Sequence, residues 1–308
     1  MGATNLQGCG TALVTPFRRD GSLDEVALRR LVRFQVQEGI DFLVPCGTTG
    51  ESPALEHGEY LRVVEIVVEE ARSARRRVPV FAGAGGNYTA KIIQLMKELE
   101  PLGVDGFLSV SPYYNKPTQE GIYQHYRALS EATALPIIVY NVQGRTASNI
   151  ETATLARLAA LPNIVAVKEA SGNITQMAEV VHNMPEGFAV LSGDDAITLP
   201  LMALGGVGVI SVASNEVPGL MTNLAARCNA GDFAEARKLQ RRLLPLMLAN
   251  FVESNPVPVK AALAMMGLIE EVYRLPLVPL KPENRAKLEK VLDGLGLLVR
   301  GESLKSRA

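Results

Sequence analysis

The chain alternates eight short apolar segments, mostly β-branched, with longer segments whose apolar residues recur at helical spacing. Successive apolar segments begin about 25–30 residues apart, which is typical of proteins that repeat a strand and a helix. The predicted strands are residues 11–17, 42–45, 78–84, 104–111, 136–142, 164–171, 188–192 and 207–213. Eight such repeats predict an α/β protein with a (β/α)8 TIM-barrel fold.

An open doubly wound sheet is the alternative fold. Such a sheet usually carries a glycine-rich phosphate loop after its first strand. Here the first predicted strand ends in Thr15-Pro16-Phe17, which cannot form that loop, so the barrel is favoured. The first helix is predicted over residues 22–38, with Ser22 as its N-cap and Glu25 at the capping-box position.

The strand pattern stops after Ser214. Residues 217–229, 233–251, 257–267 and 282–294 are predicted helices, interrupted by Gly231-Asp232 and by prolines. We therefore expect a barrel over residues 1–230 and a C-terminal helical region over residues 231–308. That region is expected to pack on the barrel or to form a subunit interface.

Composition excludes several classes of function. The 308 residues are 47% hydrophobic and 20% charged, with a net charge of −1, so neither nucleic acid nor a membrane surface is an expected partner. The three cysteines include no Cys-x-x-Cys pair, and the three histidines form no ligand-spaced cluster. This pattern predicts a reducing, cytoplasmic location, no disulfide framework and no metal site. No export leader or membrane span is expected either.

Lys168 is the strongest candidate for chemistry. It follows the apolar residues Ile164-Val165-Ala166-Val167 at the end of a strand predicted to be buried on both faces. Burial without a partner disfavours an ammonium ion and leaves an amine that can form a Schiff base with a carbonyl. The alternative is a lysine that ends a strand and extends its amine into solvent, as most lysines do.

Other polar groups follow the same ends of the predicted strands, where barrel enzymes carry their active sites. Strand two leads into Gly47-Thr48-Thr49-Gly50-Glu51, whose glycines suit backbone N–H groups turned toward a small carboxylate. Strand four leads into Ser111-Pro112-Tyr113-Tyr114-Asn115 and strand five ends in Tyr140-Asn141. Hydroxyls that both donate and accept form a candidate proton relay facing Lys168. A lysine nucleophile, a phenol and a carboxylate site together suit the conversion of a 2-oxo acid to an enamine.

Structural alternatives remain for single residues. Tyr113 and Tyr114 are equally consistent with rim aromatics. Asp194-Asp195 suits a helix N-cap better than a metal site. The glycines of residues 205–208 suit close packing better than a phosphate cradle.

These motifs together resemble the dihydrodipicolinate synthase family, within the class I pyruvate-dependent aldolase superfamily that includes N-acetylneuraminate lyase. The resemblance extends from Ala12-Leu13-Val14-Thr15-Pro16-Phe17 to Asn255-Pro256-Val257-Pro258-Val259-Lys260. It rests on residues 47–51, 111–115, 140–142 with 145–146, 167–171 and 191–195. It covers nearly the whole chain.

The resemblance implies the catalytic groups. Lys168 matches the residue that forms the Schiff base with pyruvate, and Tyr140 matches the phenol that transfers protons. Thr48 and Tyr114 match the other members of the relay, with Tyr114 expected to reach a neighbouring subunit's site. The covalent lysine–pyruvate imine takes the place of a cofactor, so none is expected.

The resemblance also implies the substrate-binding residues. Thr49 matches the position that binds the pyruvate carboxylate, while Gly193 and Ile210 match residues that line the pocket. Arg145 matches the arginine that holds the carboxylate of L-aspartate 4-semialdehyde, a role for which a guanidinium is well suited.

The implied activity is that of a lyase of lysine and diaminopimelate biosynthesis. It condenses pyruvate with L-aspartate 4-semialdehyde to give 4-hydroxy-tetrahydrodipicolinate, and the implied assembly is a homotetramer of two tight dimers. Two alternatives stay open. One is another class I aldolase or dehydratase that acts on a sugar-derived 2-oxo acid, although such enzymes usually lack an arginine at position 145. The other is an inactive barrel that senses a keto acid.

The chain departs from the family pattern at two places. Gln143 stands where the family usually has proline after Tyr-Asn-Val, which predicts a freer loop around Arg145. The family's allosteric L-lysine site is matched by Ser52, His57, Asn87 and Tyr113. Lys91, however, stands where lysine-sensitive members carry glutamate, and Tyr60 replaces a common histidine. A cation at position 91 should repel the ammonium of L-lysine, so weak or absent feedback inhibition is predicted.

Overall fold

The computed structural model describes residues 6–298. Its strands are β1 Gly8–Ala12, β2 Phe42–Val44, β3 Phe81–Gly83, β4 Gly106–Val110, β5 Ile137–Asn141, β6 Ile164–Glu169, β7 Ala189–Ser192 and β8 Gly208–Ser211. Its helices are α1 Glu25–Gln37, α2 His57–Ser73, α3 Thr89–Leu99, α4 Gln119–Ala132, α5 Gln143–Thr146, α6 Thr152–Ala159, α7 Ile174–Asn183, α8 Thr198–Leu204, α9 Pro218–Asn229, α10 Phe233–Ala249, α11 Val257–Met265 and α12 Pro282–Leu295.

The eight strands form one parallel sheet in the order β2-β1-β8-β7-β6-β5-β4-β3. A parallel bridge between Leu43 and Val80 joins β2 to the segment before β3, so the two edges of the sheet meet. The predicted TIM barrel is therefore confirmed. Because the strands are parallel, their carboxyl ends all lie at one mouth of the barrel.

Two apolar layers form because side chains of a strand alternate between its faces. The inner layer fills the barrel and contains Phe42, Phe81, Ile138 and Leu191. The outer layer lies between the strands and the helices. It contains the strand residues that alternate with the inner ones, such as Leu43, Val139, Val167 and Val190. Tyr140 and Lys168 occupy inner positions two residues after Ile138 and Ala166, so the alternation directs both toward the barrel axis.

The glycines of residues 205–208 serve packing, as expected. A Cβ added to Gly208 would lie 2.1 Å from the carbonyl oxygen of Gly8 on the neighbouring strand. Gly205 takes a φ of +118° at the end of α8, a conformation that favours glycine.

The start of the chain was predicted less well. The first strand spans Gly8–Ala12 rather than residues 11–17, because hydrogen bonding to β2 and β8 selects a segment that is poor in β-branched residues. The N-cap of α1 is Asp24, whose side chain accepts from the Ala27 N–H. Ser22 instead donates its hydroxyl to Asp20, so the predicted Ser22 cap is wrong.

Helices α9 to α12 follow the barrel, as predicted for a C-terminal helical extension. Leu288 and Leu292 of α12 join the outer apolar layer. Val259 and Leu263 of α11 pack in a separate cluster with Val14 and Leu31. The boundary between residues 230 and 231 stays a prediction, and the predicted fraying of residues 301–308 lies outside the described residues.

Within residues 6–298, none of the helices combines the length and the apolar character needed to cross a membrane. Cys9, Cys46 and Cys228 are buried free thiols. Burial raises the pKa of each thiol, and for Cys9 the nearby carboxylates of Asp195 and Asp41 add to the effect.

Candidate active site

A cavity of about 180 Å³ opens where β2, β3, β4 and β5 end. Its polar lining includes side chains from β5, from α2 and α5, and from the loops after β2 and β4: Thr48, Ser52, Tyr60, Tyr113, Tyr140 and Arg145. The carboxyl ends of the strands therefore bring together residues that are far apart in the sequence, from Cys46 to Thr146. A small polar substrate fits a cavity of this size and lining.

Lys168 lies beside this cavity, behind Tyr140. The two residues pair across β5 and β6, and the Lys168 Nζ atom is 4.2 Å from the centroid of the Tyr140 ring. Lys168 is 5% exposed and Tyr140 is 6% exposed. Within residues 6–298 the Lys168 amine makes neither a hydrogen bond nor an ion pair. The amine is thus buried at the mouth of the barrel and unpaired, not extended into bulk water.

Gly193 gives the Lys168 side chain its space. A Cβ at Gly193 would lie 3.1 Å from both Cγ and Cε of Lys168 and 2.7 Å from Cβ of Ala170. The Gly193 N–H donates to the carbonyl of Glu169, which fixes this close approach. Ile210 is 1% exposed and belongs to the inner apolar layer together with Tyr140. Both predicted lining residues therefore lie in the interior around Lys168 and Tyr140.

Glu169, next to Lys168, faces away from the barrel axis. Its carboxylate accepts from the Ser171 N–H at 2.7 Å and from the Asn141 side chain at 3.1 Å. Burial raises its pKa, although these hydrogen bonds act in the opposite direction. It therefore ties β5 to β6 and does not pair with the Lys168 amine.

The loop of residues 47–51 is a tight turn. The N–H groups of Gly50 and Glu51 donate to the carbonyls of Gly47 and Thr48. These two N–H groups are therefore not available to an anion, whereas the N–H groups of Thr48 and Thr49 donate to no backbone carbonyl within residues 6–298, and the carboxylate site stays a prediction. The loop also offers two hydroxyls: Thr48 lines the cavity, and Thr49, which is 2% exposed, accepts from the Asn255 side chain at 2.9 Å.

Arg145 lies on the short helix α5 at the edge of the cavity and is exposed. Its Nη2 atom donates to the Asn255 carbonyl at 3.3 Å. The Arg145 N–H and the Thr146 hydroxyl both donate to the Val142 carbonyl, so the segment after Gln143 is wound into a helical turn. The greater freedom predicted from Gln143 stays a prediction.

Tyr113 and Tyr114 have different environments. Tyr113 lines the cavity, whereas Tyr114 is 88% exposed and has a φ of +72°, which is unusual for a residue with a side chain. The structure does not bring Tyr114 into the cavity of its own chain. Its predicted role in a neighbouring subunit stays a prediction.

The residues matched to an L-lysine site have separate contacts, and the predicted site stays a prediction. Ser52 and Tyr113 line the cavity, whereas His57 contacts Glu98 at 2.9 Å on the surface and Asn87 accepts from Asn115. Lys91 is exposed in the first turn of α3.

The hydroxyl of Tyr60 forms a hydrogen bond within the fold. It donates to the Gly83 carbonyl at 2.5 Å, and burial raises its pKa well above the ordinary value.

Asp194 and Asp195 are both occupied by backbone groups. Asp194 accepts from the Ala196 N–H, as an N-cap does, and Asp195 accepts from the N–H groups of Val212 and Ala213. Within residues 6–298 no group of three or more His, Cys, Asp and Glu side chains is arranged to hold a metal ion.

Three residues near the site received no role from the sequence: Glu51, Asn255 and Lys260. Lys260 is fully buried and its Nζ lies 2.5 Å from a carboxylate oxygen of Glu51. The signal for Lys260 was a lysine within the apolar segment of α11, the same kind of signal that identified Lys168. Only the three-dimensional structure separates the two, because Lys260 is paired with a carboxylate and Lys168 is not.

The chain is similar in sequence to proteins of one family over most of its length. The model of the Dihydrodipicolinate synthetase family matches residues 5–295. A 4-hydroxy-tetrahydrodipicolinate synthase of Koribacter versatilis is 58% identical over 294 residues, which cover 95% of this chain and 97% of that protein.

Two solved structures are also similar. Dihydrodipicolinate synthase from Aquifex aeolicus is 44% identical with a TM-score of 0.92, covering 96% of this chain and 100% of that one. The chloride-inhibited enzyme from Acinetobacter baumannii, solved in complex with pyruvate, is 42% identical with a TM-score of 0.92, covering 95% and 100%. On this sequence and structural evidence, the chain belongs to the dihydrodipicolinate synthetase family.

Proposed function

We propose that the chain is a lyase that condenses pyruvate with L-aspartate 4-semialdehyde to form 4-hydroxy-tetrahydrodipicolinate, in lysine and diaminopimelate biosynthesis. The observation that carries the proposal is the buried, unpaired Lys168 amine 4.2 Å from the Tyr140 ring centroid. The name of the Koribacter relative and the pyruvate complex of the Acinetobacter enzyme support it.

The first half of the reaction uses Lys168 as the nucleophile. Its nitrogen attacks the ketone carbon of pyruvate, and loss of water gives an imine. Removal of a methyl proton then gives the enamine, with the electron pair of the C–H bond moving into the new C=C bond. Tyr140 carries the protons in this step, in a relay with Thr48 and with Tyr114 supplied by a neighbouring subunit. The imine is covalent, so the proposed reaction uses no cofactor.

The second half joins the two substrates. The enamine carbon attacks the aldehyde carbon, whose oxygen takes a proton to become the hydroxyl of the product. The amine of L-aspartate 4-semialdehyde then attacks the imine carbon, which closes the ring and releases the Lys168 amine. Arg145 binds the carboxylate of this substrate through its guanidinium, which matches a carboxylate in shape and charge.

A separate set of residues binds pyruvate. Thr49 binds its carboxylate, while Gly193 and Ile210 shape the space around the Lys168 side chain. Arg145 favours the synthase over a sugar-acid aldolase, because a second substrate that carries a carboxylate gains most from a guanidinium at the cavity edge.

The proposed assembly is a homotetramer built from tight dimers, because Tyr114 completes the relay only in another subunit. The exposure of the Tyr114 side chain and its left-handed backbone are consistent with an interface role. The proposed location is the cytoplasm, which the three free cysteines support.

Borohydride reduction in the presence of pyruvate tests the covalent step. Mass spectrometry is expected to find a reduced pyruvyl adduct on the peptide that contains Lys168 and none on the peptide that contains Lys260. Lys168→Arg should abolish the adduct. An unmodified Lys168 after reduction of the parent chain would contradict the proposal and favour a non-catalytic sensor.

A substrate panel tests the second step. Pyruvate-dependent turnover is expected to be fastest with L-aspartate 4-semialdehyde. Faster cleavage of a keto-deoxy-sugar acid or of N-acetylneuraminate would show that the chain is a different member of the superfamily.

A further inference from the structure

A buried ion pair joins the C-terminal helices to the active-site loop. Lys260 of α11 lies with its Nζ atom 2.5 Å from Oε1 of Glu51, the last residue of the loop of residues 47–51. The side chains are 0% and 1% exposed. The partners are 209 positions apart in the chain. The contact therefore exists only if α11 docks against the mouth of the barrel.

The surroundings of Lys260 make Glu51 its essential partner. The Lys260 amine lies 4.3 Å from the centroid of the Phe17 ring, and the guanidinium of Arg274 lies 4.1 Å from the same ring. Within residues 6–298, Glu51 is the carboxylate that pairs with Lys260. Burial lowers the pKa of Lys260, and the negative charge of Glu51 acts against this shift. Removal of either partner leaves an uncompensated polar group in the interior.

A second contact joins the loop of residues 47–51 to the segment that contains Lys260. Asn255, five positions before Lys260, donates its side-chain N–H to the Thr49 hydroxyl at 2.9 Å. Glu51 itself has a φ of +53°, and its N–H donates to the Thr48 carbonyl at 3.1 Å. The backbone of Glu51 is therefore tied by one hydrogen bond to that of Thr48, which lines the cavity, so displacement of Glu51 is expected to displace Thr48.

We propose that Glu51 and Lys260 are positioning residues that hold the Thr48 and Thr49 hydroxyls in register with the Lys168 amine. The C-terminal helical region is then a part of the active site, although it contributes none of the groups that react with pyruvate. This inference rests on the proposed function, since it assigns the two threonines to the proton relay and to the pyruvate carboxylate.

The test compares Glu51→Gln, Lys260→Met and the double variant in steady-state kinetics. Each single variant is expected to lower kcat and to raise the KM for pyruvate, with a loss in kcat/KM of about 100-fold, because a displacement near 1 Å costs that much. The KM for L-aspartate 4-semialdehyde is expected to change less. The double variant should be no worse than Lys260→Met, because both substitutions remove the same contact.

Glu216→Gln is the matched control. Glu216 is also a buried carboxylate, 1% exposed, and it accepts at 2.9 Å from the side chain of Asn250, the C-cap residue of α10, with no hydrogen bond to the loop of residues 47–51. Its kcat and its KM for pyruvate should match those of the parent chain. Thermal unfolding of every variant shows whether a kinetic loss follows from lower stability alone, and Glu51→Gln keeps the test usable if Lys260→Met fails to fold.

The outcomes separate the two proposals. A parent chain that forms no pyruvyl adduct on Lys168 would overturn the proposed function itself. If the parent forms the adduct and Glu51→Gln has the kinetics of Glu216→Gln, the proposed function stands and the positioning role is wrong. Kinetic losses that are strictly additive in the double variant would also overturn the role of the pair.

Discussion

The amine of Lys168 lies 4.2 Å from the centroid of the Tyr140 ring, and the two residues are partners in the register of β5 and β6. Neighbouring parallel strands place their inward side chains side by side, so the barrel fixes the two groups without a flexible loop. A phenol held in this way is ready to exchange protons with groups attached to the lysine nitrogen.

Tyr140→Phe should therefore lower kcat by about 10²–10⁴-fold, the range that general acid–base catalysis contributes. The ring stays in place and the inner apolar layer keeps its volume, so the thermal midpoint should change little. Stopped-flow measurement of imine formation and steady-state kinetics provide the test.

Tyr123→Phe is the control for this substitution. Tyr123 lies on α4, where its ring contacts the guanidinium of Arg157, outside the cavity. Equal kinetic effects at the two positions would show that Tyr140 has no special role in proton transfer.

Gly193→Ala should slow imine formation by about 10- to 100-fold, because misplacement of a reacting group has an effect of this size. The added methyl group would lie 3.1 Å from two carbons of Lys168 and 2.7 Å from Ala170, so the lysine side chain must move. Trapping of the imine with borohydride over time measures the rate.

Gly294→Ala offers a comparison without a clash, since a Cβ on this residue of α12 meets no atom within 4 Å. It should leave the trapping rate unchanged. An unchanged rate in Gly193→Ala as well would mean that the space beside Lys168 is not limiting.

The sequence was sufficient to predict the barrel and the buried position of Lys168, because both depend on local patterns. An apolar β-branched strand that ends in a lysine is visible within eight residues of the sixth strand. The first strand was misplaced because its partners in β2 and β8, and not its own composition, select Gly8–Ala12. Strand propensity is a weaker guide than pairing in such a segment.

The pairing of Lys260 could not be predicted for a different reason. Its partner Glu51 is 209 residues away, and no local pattern reveals a contact between a helix and a loop at that distance. The hydrogen bonds that occupy the Gly50 and Glu51 N–H groups were equally hidden, since they depend on the exact turn of the loop. Positions that follow from a strand could be predicted from the sequence, and contacts that follow from the docking of a helix could not.

Lys91→Glu should make the enzyme more sensitive to L-lysine. Lys91 is exposed at the start of α3. The resemblance to the family implies that the L-lysine effector binds near this position, so a cation there should repel its ammonium and a carboxylate should attract it. The parent chain is expected to show weak or no inhibition, and the variant should lower the half-inhibitory concentration about tenfold, within the range of allosteric couplings. Steady-state assays over a series of L-lysine concentrations measure the effect.

Lys97→Glu, in the last turn of the same helix, makes the same change of charge at another exposed position. It should leave the response to L-lysine as it is in the parent chain. Strong inhibition of the parent chain at low L-lysine concentration would contradict the prediction from Lys91.

His125 should make the fold less stable in acid. It is 6% exposed, its Nδ1 atom shares a hydrogen bond with the Thr89 hydroxyl, and its Nε2 atom has no partner. Burial lowers its pKa to about 4 from the ordinary 6.5. The unfolded chain therefore takes up a proton at a higher pH than the folded chain does. Stability is unaffected above about pH 6.5 and falls as the pH drops toward 4, by up to about 3 kcal/mol.

His125→Asn tests this effect, because asparagine can keep the bond to Thr89 but does not titrate in this range. The thermal midpoint of the parent chain should fall more steeply between pH 7 and pH 5 than that of the variant. His182→Asn, at an exposed position of α7, should retain the slope of the parent chain. Identical slopes in the parent and in His125→Asn would mean that groups other than His125 account for the acid dependence, and the buried carboxylates Glu169 and Asp195 are not among them. Burial raises the pKa of both of these carboxylates, which gives the opposite sign: protonation of a group whose folded pKa is raised favours the folded chain. A loss of stability between pH 7 and pH 5 that disappears in His125→Asn can therefore be assigned to the imidazole.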